Sequence, residues 1–85
     1  MSTVWAVPTS HFRRGHILSF LREERCATRV VEVKLFQSTR LYQRTPVASR
    51  FWQPSQDLTK TAQEIAEYIA DNAAIDATIV VADEP

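Results

Sequence analysis

The sequence predicts an α+β fold: one domain, residues 1–85, with a four-stranded, mostly antiparallel sheet and helices on one face. Three observations predict it. Residues 55–72 carry an apolar stripe of helical period. Four short segments elsewhere are β-branched or alternating, at strand length. The segments fall in the order β-α-β-β-α-β, which is the split βαβ, ferredoxin-like plan.

The first element is Val4-Trp5-Ala6-Val7, a strand that Pro8 ends because proline has no backbone donor. Thr9 or Ser10 then caps a helix running to Glu24, with Ile17, Leu18 and Leu21 on its inner side. Gly15 weakens that helix by roughly 1 kcal/mol relative to Ala. Residues 9–24 also admit a hairpin, with a turn at Arg13-Arg14-Gly15 and strands at Phe12 and Ile17–Leu21. The fold is then a β-meander backed by one long helix. The helix is preferred because Leu18, Leu21 and Arg22-Glu23-Glu24-Arg25 follow helical rather than period-2 spacing.

Residues 28–37 alternate, with Val31, Val33 and Leu35 on one side and Val30, Glu32, Lys34 and Phe36 on the other, as a half-buried strand does. Ser38-Thr39 turns the chain. Leu41 to Thr45 resumes as a second strand, which Pro46 confines to an edge or a bulge, and Val47 to Trp52 continues it. The pair forms an antiparallel hairpin. In the last helix Leu58, Ala62, Ile65, Ile69 and Ala73 draw one stripe, opposite Gln56, Lys60, Gln63, Glu64, Glu67 and Asp71. Ser55 or Asp57 caps its start, and Asn72 suits its exit because Asn tolerates the left-handed conformation. Ala77 to Ala82 is a continuous apolar run of strand length, as expected of a strand covered on both faces or hidden by a partner.

Composition narrows the class. The chain has 85 residues, 45% hydrophobic and 24% charged, which is ordinary globular composition. At this length folding buries only about 60–65% of the unfolded chain's surface, so the core is small. A single Cys excludes an internal disulfide and fits a reducing compartment. No apolar run reaches the roughly 18 residues of a membrane span, and Met1 to Trp5 lacks the basic start of a signal peptide. The expectation is a cytoplasmic protein with no membrane association.

Ten basic and ten acidic residues sum to zero, yet they are segregated. Residues 1–53 hold nine basic residues and three acidic ones, a net +6; residues 54–85 hold Lys60 against seven carboxylates, a net −6. Eight of the nine N-terminal cations are Arg, which forks onto carboxylates and phosphates and stacks on rings. The two segments either cancel by packing side by side or present opposed surfaces to a partner.

Little in the chain carries chemistry. His11 and His16 are five residues apart, about 140° on a helix, where metal pairs prefer three or four. Cys26 has no second thiol, so no metal site is expected. Ser10-His11 has no third partner for a triad. Glu23 and Glu24 point to different faces and balance Arg22 and Arg25. With Gly15 as the sole glycine, no phosphate-cradling loop can be built. No catalytic residue and no cofactor is expected.

The one constellation of interest is Arg with aromatics. Lys34, Phe36, Arg40, Tyr42, Arg44, Arg50, Phe51 and Trp52 follow one another along the hairpin, with Arg29 nearby. On an open sheet face they form a binding surface; otherwise the rings pack in the core or an interface, with Arg stems along their rims. The first reading is a non-catalytic interaction module, of a kind common in mobile and phage-borne gene sets, acting on another protein or on itself as a homodimer. The alternative is a single-stranded nucleic-acid (RNA) binding module, using cations for phosphates and rings for bases. The third is a small enzyme with His11 or His16 as base.

Overall fold

Alternation in residues 29–36 puts Val31, Val33 and Leu35 on one side of the chain, and these three are fully buried. The computed structural model describes residues 2–7, 13–24, 29–37, 45–54 and 57–83. The elements are β1 (Ser2–Val7), α1 (Arg14–Glu23), β2 (Arg29–Phe36), β3 (Ala48–Trp52), α2 (Leu58–Asp71) and β4 (Asp76–Asp83). The class is α+β and the element order is the expected one.

The sheet has the order β1-β4-β2-β3, and every neighbouring pair is antiparallel. Both halves are split βαβ units. β4 lies between β1 and β2, and β2 lies between β4 and β3. In the ferredoxin-like order the first and third strands form the inner pair; here the second and fourth do. Element order alone leaves that permutation open, because both arrangements satisfy the same alternation of strand directions.

Residues 14–23 are helical, so the hairpin reading of this segment and the meander fold it implied are set aside. The helix starts later than capping at Thr9 or Ser10 required. Arg13 is the N-cap, in extended conformation (φ −105°, ψ 140°), and its side chain makes no capping bond. Residues 8–12 lie outside the described residues. α2 runs over residues 58–71 against the expected 55–72, and Ser55, the other capping candidate, lies outside the described residues. Asp57 caps it by accepting a hydrogen bond from the Lys60 N–H at 3.3 Å.

The left-handed residue at the exit of α2 is Ala73 (φ 49°), not Asn72 (φ −91°). The Ala73 N–H donates to Ala70 O at 3.0 Å and the Ala74 N–H to Ile69 O at 3.2 Å, the paired bonds of a Schellman motif. Asn72 instead turns its side-chain amide back onto Tyr68 O at 2.9 Å.

The second strand of the hairpin also moves. β3 comprises Ala48–Trp52 only, with Thr45 and Pro46 off the ladder. The Val47 N–H donates to Leu35 O at 2.8 Å and opens the pairing. Proline cannot supply that donor, so the ladder begins after Pro46. Residues 41–44 lie outside the described residues.

Both helices cover one face of the sheet. Ile17 and Leu21 of α1 and Ala62, Ile65 and Ile69 of α2 join Val31, Val33, Leu35, Trp52, Ala77, Ile79 and Val81 in one buried cluster. α1 sits toward β1, where Phe20 stacks on Trp5 with ring centroids 4.7 Å apart. α2 sits toward β3, where Tyr68 meets Trp52 edge-on at 5.6 Å. Among the described residues no helix is long and apolar enough to cross a membrane.

Candidate functional site

Both helices lie on one side, so the other face of the sheet is open, and the registers specify what it carries. Residues directly opposite in antiparallel strands share a face at about 4.5–5.5 Å. One row across the four strands is Val4, Val80, Glu32 and Phe51; the next is Ala6, Thr78, Lys34 and Ser49. Val30 and Ala82 extend the apolar part beside the first row.

The outer ends of the first row are exposed hydrophobics. Val4 is 62% exposed and Phe51 63%. At the middle lies one ion pair, Lys34 Nζ to Glu32 Oε1 at 3.9 Å, between neighbours on the same strand face. Asp76 stands opposite Phe36 at the far end of β2. Phe36 itself is buried; beside it the exposed Ile75 donates its N–H to Phe36 O at 3.0 Å.

The eight residues singled out in the sequence do not share this face. Lys34 and Phe51 lie on it, and Phe36 has the same parity on β2. Arg50 and Trp52 point the other way, toward α2, because they pair with Val33 and Val31. Arg50 places its guanidinium 4.5 Å over the Trp52 ring and pairs with Glu64 of α2 at 3.8 Å. Arg40, Tyr42 and Arg44 lie outside the described residues, as does His11. His16 is exposed on α1.

Arg29, at the start of β2, also turns to the helix side. One guanidinium nitrogen donates to Glu24 O at 3.2 Å, another to Val81 O at 3.4 Å, and its Nη1 lies 3.7 Å from the Glu24 carboxylate. It closes the C-terminal end of α1. Val4 and Val80 are the face residues that the Arg and aromatic pattern passed over. The signal was there in the alternation of Val4 and Ala6 around Trp5.

A groove of about 450 Å³ runs on the helix side between α1 and β1, lined by Trp5, His16, Ser19, Phe20, Glu23 and Glu24. A smaller one, about 170 Å³, lies along α2 beside Arg50, Glu64, Glu67, Tyr68, Asp71 and Asn72. Among the described residues no three His, Cys, Asp or Glu side chains gather as a metal site would require.

The fold and this face define a class: a small open-faced α+β sandwich with an apolar, weakly charged sheet surface. Comparison with protein families, with curated proteins and with solved structures finds no match to the chain.

Proposed function

We propose that the chain is a non-catalytic interaction module that docks a protein partner on the open face of its sheet and works as a homodimer. The observation that carries this is the first row of that face, with Val4 and Phe51 mostly exposed on opposite edges. The row runs from exposed Val4 through half-buried Val80 and Glu32 to exposed Phe51, and exposed apolar side chains on an uncovered sheet face favour an interaction site over scattered surface hydrophobics.

The charge on the face favours a protein over a nucleic acid. Its described ionisable groups are Lys34, Glu32 and Asp76. Lys34 is already beside a carboxylate, and Arg50 is turned away to Glu64. A strand of phosphates calls for several uncompensated cations.

Capture from a cell extract tests the reading by difference. Wild type and Gln63→Arg, a change on the exposed side of α2, should retain the same proteins, and Phe51→Arg should lose them. Equal capture by all three overturns the proposal. Oligonucleotide binding by wild type with a steep salt dependence, lost in Lys34→Glu, would replace it with the nucleic-acid reading.

A further inference from the structure

The two edges of the sheet are unlike. β3, five residues to the six of β1, carries Arg50 and lies between Pro46 and Pro54. Charge, proline and brevity are the usual protections of an edge against pairing with another chain. β1, Ser2–Val7, has no charged side chain, and the one proline flanking it is Pro8, after its end. Among the described residues β4 is its one strand neighbour, so its outer side presents N–H and C=O groups ready for a further strand.

We propose that two copies pair through these β1 edges, antiparallel about a two-fold axis normal to the sheet, giving one eight-stranded sheet with four helices on one side. This deepens the homodimer part of the reading above. Such an axis keeps both open faces on the same side and pairs residues of like parity, setting Val4 against Val4 of the second copy. The docking face is thereby doubled in width.

The helix layer fits the same operation. Strands lie about 4.8 Å apart, so a helix about 10 Å wide covers two of them. α1 stacks on β1 through Phe20 and Trp5, and α2 on β3 through Tyr68 and Trp52. The second copy's α1 then lies about 10 Å from the first, an ordinary helix-packing distance. Between the two runs the groove lined by Trp5 and Phe20, which the pairing covers.

Charge selects a second copy over an arbitrary extended peptide. α1 opens with Arg13 and Arg14 and closes with Glu23 and Glu24, the reverse of what its own dipole favours. Arg22 in its last turn and Arg29, which forks onto Glu24, already serve that end, which leaves Glu23 as its exposed carboxylate. The two-fold axis runs the two α1 helices antiparallel, so Arg13 and Arg14 at the start of each lie toward Glu23 at the end of the other. On the stripe facing the groove, His16, Ser19, Phe20 and Glu23 recur at helical spacing, and the axis sets His16 opposite the second copy's Glu23.

Sedimentation equilibrium at micromolar concentration reads the result. Wild type should give about twice 9.7 kDa. Val4→Lys and, separately, Glu23→Arg should give the monomer with unchanged circular dichroism, and the exchange His16→Glu with Glu23→Arg should restore the dimer. Phe51→Arg should leave the dimer intact, which separates this proposal from partner docking. A wild-type monomer overturns the pairing. So does a dimer that survives Glu23→Arg, or one that Phe51→Arg alone dissociates, which would be the face-to-face alternative. Should Val4→Lys unfold, Glu23→Arg on the helix surface still decides.

Discussion

Truncating Trp52 and its neighbour Phe51 to alanine, one at a time, tests the β2–β3 register on which the candidate site rests. Trp52 is 8% exposed and Phe51 63%. A fully buried large aromatic hides about 200 Å², and at ~25 cal/mol/Å² its removal costs about 5 kcal/mol, near the top of the ~3–5 kcal/mol typical of such truncations. Two corrections apply to Trp52. Loss of the Arg50 and Tyr68 ring contacts adds about 1–2 kcal/mol. Its indole N–H is buried without a partner, and removing it returns about 1–3 kcal/mol. These have opposite sign and similar size, so Trp52→Ala stays at about 4–5 kcal/mol. Phe51 hides about a third as much area, so Phe51→Ala should cost under about 2 kcal/mol. At a urea m-value near ~1.5 kcal/mol/M, the two midpoints differ by about 1.5–2 M. An 85-residue domain holds only about 4–13 kcal/mol, so Trp52→Ala leaves it close to unfolding. Equal losses, or a larger loss at Phe51, would refute the register, because a one-residue slip exchanges the faces of the two side chains.

Three further changes test the helix ends. Ala73→Gly relieves the positive φ at the exit of α2; strain of about 1–2 kcal/mol less the ~0.4–1 kcal/mol entropy of glycine should raise the melting temperature by about 4 °C. Gly15→Ala meets no heavy atom within 4 Å and should stabilise α1 by about 0.5–1 kcal/mol, seen in the same thermal scan. Arg29→Ala removes the bonds to Glu24 O and Val81 O and should cost about 2–3 kcal/mol. Amide exchange should quicken first in the last turn of α1, and Arg29→Lys should restore less than half the loss, since an ammonium lacks the fork.

The fold was legible where burial imposes a period. Ala62, Ile65 and Ile69 of the helical stripe and the alternation Val31, Val33 and Leu35 each match a buried set, with Leu58 partly buried and Ala73 exposed beyond the helix, because one face of each element meets the core. Boundaries set by a single backbone bond were less so. The Val47 N–H that opens the hairpin, and the positive φ of Ala73 rather than Asn72, depend on how the next element is positioned. The candidate site was legible least. Arg50 and Trp52 flank Phe51 in a row that reads as one aromatic and cationic surface. Yet facing depends on parity against β2, which only the register supplies.

The segregation of charge into +6 and −6 stretches is not what holds the domain together. Of the described ion pairs, Arg50 with Glu64 crosses between the stretches, while Arg29 with Glu24 and Lys34 with Glu32 stay within the basic one. All three lie at 3.7–3.9 Å with partly exposed side chains, a geometry worth about 0–1 kcal/mol each. The buried cluster of α1, α2 and the sheet contributes far more. Charge placement is therefore free to serve association. α1 is where it departs furthest from what a lone helix prefers, with Arg13 and Arg14 at the positive end of the dipole and Glu23 and Glu24 at the negative end. That cost is small in an isolated copy. An antiparallel neighbour brings Glu23 of one copy to the Arg13 and Arg14 end of the other, and α1 stands beside the edge strand that carries no charge.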